Sequence, residues 1–354
     1  MTNPDCAERA GTAALDPRAL MRELKIFAKA HPARSFWELA ITLVPFAGIM
    51  AAMLFAVQSG IYLALALVPV AGLFLLRIFI IQHDCGHGAF LPGRLGNDWT
   101  GRALGVLTFT PYDCWKRSHA LHHASTGNLD ARGNGDVDTL TVREFYEGTR
   151  IQRLLYRMYR HPIVLFGIGP AYLFLLRHRL PIGLMKEGAT YWVSSMATNI
   201  VIAAILGGLI YSFGLAATVM VVLPVLLVAA SLGVLLFYVQ HQFEEAHWDT
   251  ADNWSFHDAA LLGSSHLDLP QPLRWFSGNI GVHHVHHLAS RIPFYRLTEV
   301  LDAKPELRTL NRFTAREALG PVRLALWAED QRRLVTFREA SRAVSDQGRT
   351  QQAA

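Results

Sequence analysis

The sequence predicts an all-α integral membrane protein, with four transmembrane helices in two hairpins and a cytoplasmic helical domain that carries a histidine-rich metal site. Three observations carry this prediction: four apolar stretches of spanning length, cationic residues confined to the segments outside the hairpin turns, and three compact histidine clusters. Of the 354 residues, 51% are hydrophobic and the mean hydropathy is +0.22. That is more apolar than an ordinary soluble domain.

The four stretches are Phe36–Gln58, Ile61–Ile81, Tyr191–Tyr211 and Leu215–Val239. Each is long enough as a helix to cross ~30 Å of hydrocarbon. Within them only Glu38 and Arg77 are charged. The turns Ser59-Gly60 and Ser212-Phe213-Gly214 contain no Lys or Arg. Six basic residues precede the first span, thirteen lie between the second and third, and thirteen follow the fourth. The positive-inside rule therefore places both termini and the long middle segment in the cytoplasm. The apolar run Pro162–Leu176 is short for a crossing and contains Gly167, Gly169 and Pro170, so it reads as a re-entrant or interfacial segment.

Residues 1–35 read as a cytoplasmic N-terminal segment. Residues 1–16 lack the apolar core of a secretory signal. Three cysteines, Cys6, Cys85 and Cys114, cannot all pair and are expected to be reduced, with Cys85 turned away from its histidine neighbours for packing. Residues 311–354 read as an amphipathic cytoplasmic tail with a disordered end. The net charge of +5 is spread along membrane-flanking segments without an aromatic platform, which favours lipid headgroups over nucleic acid.

The histidine clusters are His83-Asp84-Cys85-Gly86-His87, His119-Ala120-Leu121-His122-His123 and His283-His284-Val285-His286-His287, nine of sixteen histidines in all. Spacings of three and four place imidazoles on one helical face. Held together without a ligand, they would repel once protonated and lose hydration when buried. His31, His161, His178, His257 and His266 stand alone and read as ordinary core or surface residues.

His83, His87, His119, His122, His123, His283, His286 and His287 exceed the needs of one metal. Zinc usually takes four ligands, and the first cluster has Asp84 where a zinc protease places its Glu. An all-imidazole shell around two ions suits iron, which can activate O2. His241, emerging from the fourth span as His83 does from the second, is the preferred ninth ligand, ahead of His247, His284 and Asn279. Asp84, Asp113, Asp130, Asp136, Asp138, Glu244 and Glu245 are candidates to orient the imidazoles.

These patterns resemble the membrane fatty acid desaturases, particularly bacterial acyl-lipid enzymes of the Δ12 or omega-6 type. The resemblance runs from Phe36 to Leu307 and includes Arg77–Gly88, Leu107–Asp130, Gly135–Val142, Phe237–Glu244 and Gly278–Leu297. It implies a desaturase domain over residues 36–310, with its three histidine boxes falling on the eight clustered imidazoles named above as iron ligands. It also implies O2-dependent formation of a cis double bond in an acyl chain. The chain lacks a haem-binding His-Pro-Gly-Gly element, so the resemblance implies a separate ferredoxin or b-type cytochrome as electron donor. The expected location is the bacterial cytoplasmic (inner) membrane. Trp115, Phe109, Trp275 and Phe276 are channel-lining candidates, with ordinary membrane or core packing the favoured reading of each. A diiron hydroxylase or ketolase acting on an alkane, sterol or carotenoid is the neighbouring alternative. A metal transporter or a scaffold protein is more distant, because the spans are nearly free of ionisable groups.

Overall fold

The computed structural model describes residues 16–133 and 136–353, so Cys6 and all but Asp16 of the segment read as lacking a signal lie outside the described residues. Among the described residues three helices are long and apolar enough to cross a membrane: Pro32–Gln58, Tyr62–Gly86 and Ala189–His241. The first starts with Pro at its first turn, where a missing N–H costs nothing. The second begins as a 3-10 turn over Tyr62–Leu67 and becomes α-helical from Val68 to Gly86. It therefore runs beyond the apolar stretch and carries His83 clear of it.

The third helix is 53 residues long, but Gly214 in its interior has φ 80° and ψ 159°, a conformation that glycine adopts without steric penalty. The contacts at its two ends show that the chain folds back there. Asp113 donates its N–H to Ser194 Oγ at 3.1 Å, while His122 Nε2 lies 3.2 Å from His241 Nε2. Asp113 and His122 share one 14-residue helix, Tyr112–Ser125, only ~21 Å long at 1.5 Å per residue, whereas a straight 53-residue helix would extend ~80 Å. Ala189–His241 is therefore two antiparallel arms. Its turn meets the turn of the first hairpin, with Gln58 donating to Ser212 O at 3.0 Å and Phe55 edge-on to Phe213 at 5.0 Å.

Glu38 and Arg77 are both buried and form an ion pair. Arg77 also donates to Thr42 Oγ1 at 3.1 Å and lies 3.9 Å over the Trp275 ring. Pairing is how charged groups persist among apolar helices.

Two departures from the all-α expectation occur. Leu326–Ala328 pairs in parallel with Leu140–Thr141 and antiparallel with Arg333–Val335, and His266–Asp268 pairs in parallel with Arg312–Thr314. The tail is thus not one amphipathic helix: Leu326, Trp327 and Leu334 lie on strands and are buried. Alternating burial on a strand and one face of a helix can use similar apolar residues, and the partner strand at Leu140 is too distant in sequence to be seen locally. The end of the tail, expected to be disordered, is helical over Phe337–Ala353. A reciprocal cap starts it, with Thr336 N–H on Glu339 Oε2 at 2.8 Å and Glu339 N–H on Thr336 Oγ1 at 3.2 Å. Pro162–Leu176 contains a π-turn over Val164–Ile168 and a helix over Gly169–Leu175, too short together to cross ~30 Å.

Candidate metal centre

Four stretches of chain bring the imidazoles together. His83 ends the second long helix and His87 caps it, its N–H bonded to His83 O at 3.3 Å. His119, His122 and His123 lie on Tyr112–Ser125, His241 ends the second arm of the longest helix, and His283, His286 and His287 lie on the short helix His283–Leu288.

These nine side chains form two groups. His83, His87, His119, His123 and His286 make one, and His122, His241, His283 and His287 the other; within each group the candidate donor atoms lie within 4.8 Å of one another. In the first group the Nε2 atoms of His119 and His87 are 3.0 Å apart, those of His123 and His119 3.1 Å, and those of His286 and His123 3.2 Å. In the second, His241 Nε2 is 3.2 Å from His122 Nε2 and 2.9 Å from His283 Nε2. The groups abut, because the His123 and His287 rings stack at 4.1 Å. All four members of the second group are buried, whereas His87, His119 and His123 of the first are half-buried.

The donor set fits two metal ions. It is nitrogen throughout, and His83 Nε2 and His287 Nε2 are buried without a hydrogen-bond partner, an arrangement that costs free energy unless something binds there. Burial and neighbouring imidazoles push His119, His123, His283, His286 and His287 well below the usual histidine range. They are therefore neutral, as metal ligation requires.

The surroundings orient several rings. Asp136 Oδ1 lies 2.9 Å from His122 Nδ1, and Thr126 Oγ1 lies 3.0 Å from the same nitrogen. Asp84 Oδ1 lies 3.3 Å from His83 Nδ1, while its other oxygen accepts the Phe294 N–H at 2.6 Å. His241 Nδ1 faces Gly263 O at 3.4 Å. Of the acids singled out in the sequence, Asp84 and Asp136 touch an imidazole of the cluster. Asp113 pairs with Arg102, Asp130 accepts the Ala251 N–H, and Glu244 pairs with Arg333. Thr126 and Gly263 carry no distinguishing signal in the sequence.

Of the weaker ligand candidates, His284 and His247 lie outside both groups. His284 points away, to Leu307 O at 2.9 Å, and Asn279 donates to Phe294 O at 3.2 Å. Cys85 is buried, and its carbonyl accepts the Tyr112 hydroxyl at 2.9 Å. Of the aromatic candidates, Trp115 stacks on His119 at 4.6 Å, whereas Trp275 and Phe276 pack against Phe74.

Comparison with known proteins agrees with this arrangement. The family model for fatty acid desaturases matches residues 59–314. A Bacillus subtilis (strain 168) fatty acid desaturase is 38% identical over 329 residues, covering 92% of each chain. From Synechocystis sp. (strain ATCC 27184 / PCC 6803 / Kazusa), an sn-1 acyl-lipid omega-3 desaturase (ferredoxin) is 30% identical over 66% of this chain and 65% of its own length. An sn-1 oleoyl-lipid 12-desaturase from the same organism is 29% identical over 61% of each. Long apolar helices, two abutting imidazole groups and a match over most of the sequence lead to one assignment: the chain belongs to the fatty acid desaturase family.

Proposed function

We propose that this desaturase acts on the acyl chains of membrane lipids, using O2 and two iron ions held by His83, His87, His119, His123 and His286 on one side and His122, His241, His283 and His287 on the other. The carrying observation is the meeting of nine imidazoles in two abutting groups where the apolar helices end. When bound, the iron pair supplies the O2 activation and hydrogen removal that polypeptide side chains cannot perform.

The chain's own residues bind, orient and enclose. Asp136 and Asp84 hold the Nδ1 side of His122 and His83, leaving each Nε2 facing inward. The second group is buried, which restricts water, while the half-buried face of the first, flanked by Trp115 on His119, leaves an approach for substrate. Positioning one methylene pair against that face would decide where the double bond forms.

The two arms that meet at Gly214 favour four crossings in two hairpins. The turns at Ser59-Gly60 and Gly214 lie together, and all nine histidines lie toward the opposite ends of the helices. With the distribution of basic residues, this supports a cytoplasmic metal centre and cytoplasmic termini in a bacterial inner membrane. Pro162–Leu176 lies at the interface in this reading. Acyl-lipid substrates and a ferredoxin donor are suggested by the names of the cyanobacterial relatives, a b-type cytochrome being the other donor class.

Expression in a host without polyunsaturated lipids, followed by analysis of fatty acid methyl esters, tests the reading. A new cis double bond in membrane lipid is expected. An unchanged acyl profile despite an iron-loaded, reducible protein would overturn it.

A further inference from the structure

The helix Arg150–Tyr159 presents an apolar face to the outside. Ile151, Leu154, Leu155 and Met158 are 71%, 58%, 58% and 55% exposed, and their spacing of three, four and seven places them on a single stripe. The opposite side holds the helix to the protein: Tyr156 is buried, and its hydroxyl donates to Ala325 O at 2.6 Å. This stripe is therefore not the face by which the helix packs. It is a second apolar surface on a helix that already has its packing partner.

The level of the helix is set by its C-terminal end. Arg160 donates to the Tyr238 hydroxyl at 2.9 Å and to Gln242 Oε1 at 3.0 Å. Tyr238 is where the last apolar stretch, Leu215–Val239, runs out. One turn further along, Leu165 and Phe166 pack with Tyr238 and Val239, and Ile163, Ile168, Tyr172 and Leu176 continue the exposed apolar surface. The helix is thus held at the end of the last apolar stretch. Arg150 is exposed on the border of the stripe, while the Arg157 guanidinium turns to the protein side, 4.5 Å over the Phe337 ring; a cation at that border suits anionic phosphates above an apolar layer.

We propose that Arg150–Tyr159 lies in the plane of the bilayer surface, its stripe among the acyl chains and Arg150 on anionic headgroups. The placement rests on the membrane reading above and adds a lipid-contacting element outside the spans. It also has a consequence for the metal centre. Arg160 donates to Asp138 O at 3.3 Å, and the Tyr156 hydroxyl accepts the Leu140 N–H at 3.0 Å. The helix that rests on lipid therefore clamps the strand of chain that follows Asp136, which orients His122.

Iron-loaded full-length protein in bilayer nanodiscs of phosphatidylglycerol provides the test. Leu154→Cys, Val201→Cys and Arg143→Cys are each labelled with an environment-sensitive fluorophore, and the signal of the identically treated unsubstituted protein is subtracted for the native thiols. Val201 is exposed on an apolar arm, and Arg143 is 73% exposed beside Glu329. Against aqueous iodide, the label at 154 is expected to be quenched several-fold more by lipid brominated near the headgroup and that at 201 by lipid brominated near the acyl-chain ends, with the opposite order at 143. Quenching at 154 that follows 143, or protection from both quenchers, would overturn the placement while leaving the membrane reading intact. Failure of brominated lipid to quench at 201 would overturn both. Replacing phosphatidylglycerol by phosphatidylcholine is expected to weaken lipid quenching at 154 and not at 201; equal quenching in both lipids would overturn the role of Arg150. Iron content and thermal stability of Leu154→Cys report whether the variant is folded.

Discussion

Asp136 Oδ1 stands 2.9 Å from His122 Nδ1, on the side of the ring away from the 3.2 Å approach of His122 Nε2 to His241 Nε2. One carboxylate thus sets the tautomer and direction of an imidazole shared between the second-box helix and the buried four-imidazole group. Outer partners of this kind typically change metal affinity by about 10–100-fold when removed. Asp136→Ala is expected to lower iron retention by that order, measured by metal analysis after dialysis against a weak chelator. Full iron retention would show that the carboxylate does not orient the ring.

Two neighbouring clusters make a discriminating pair of histidines. His241 is within 2.9 Å of His283 Nε2, whereas His284 bonds to Leu307 O. His241→Ala is expected to lose the iron of the four-imidazole group together with activity. His284→Ala is expected to keep both ions and lose about 1–3 kcal/mol of stability, the cost of leaving a buried carbonyl unpaired. Metal content and thermal denaturation separate the two outcomes.

Gly281 lies two residues before the third box, and a Cβ there would come within 2.2 Å of the Leu267 carbonyl oxygen. That obstacle is backbone in a strand, so the loop leading to His283 must move instead. Gly281→Ala is expected to destabilise the protein by about 1–3 kcal/mol and to lower iron content. Wild-type melting and metal content would show that the strand gives way.

Arg160 is buried, and its guanidinium donates to the Tyr238 hydroxyl, Gln242 Oε1 and Leu324 O, joining the end of the last apolar arm to the tail. Hydrogen bonds from a charged group contribute about 1.5–3 kcal/mol each. Arg160→Ala is expected to lower the melting temperature sharply and to increase proteolysis of the tail. Arg160→Lys should recover little, because an ammonium cannot at once reach the Asp138 and Thr139 acceptors held by one guanidinium nitrogen and the Tyr238, Gln242 and Leu324 acceptors held by the other.

Acid should destabilise the metal-free protein. Burial holds His283, His286 and His287 well below the usual histidine value, with neighbouring imidazoles adding to the effect. The unfolded chain binds protons first as pH falls, so stability is fully present above about pH 6.5 and is lost progressively below it. Thermal melts of apo-protein between neutral and mildly acidic pH check this. A melting temperature independent of pH across that window would contradict neutral, buried rings.

Much of this architecture is legible locally. Hydropathy locates the apolar arms, because a helix in lipid must satisfy its backbone internally and cover it with apolar side chains. Helical spacing puts His283, His286 and His287 within one arc and leaves His284 at its edge, which is how the structure distributes them. His241 is legible by its position at the end of an apolar arm. The pairing of Leu140 with Leu326 is not, since it joins strands about half the chain apart, although Arg333–Val335 pairs with the nearby Leu326–Ala328.

By itself the sequence determined which imidazoles share a helical face and which segments need a non-aqueous surrounding, since both follow from short-range periodicity and composition. Only the tertiary structure decided how the imidazoles divide: His119 and His123 go to one group and His122, on the same helix, to the other. It also decided that Asp84 and Asp136, among the nearby acids, reach a ring. Those outcomes depend on where distant helices cross and on which loop a buried arginine holds in place, and no local spacing encodes a distance between separate elements.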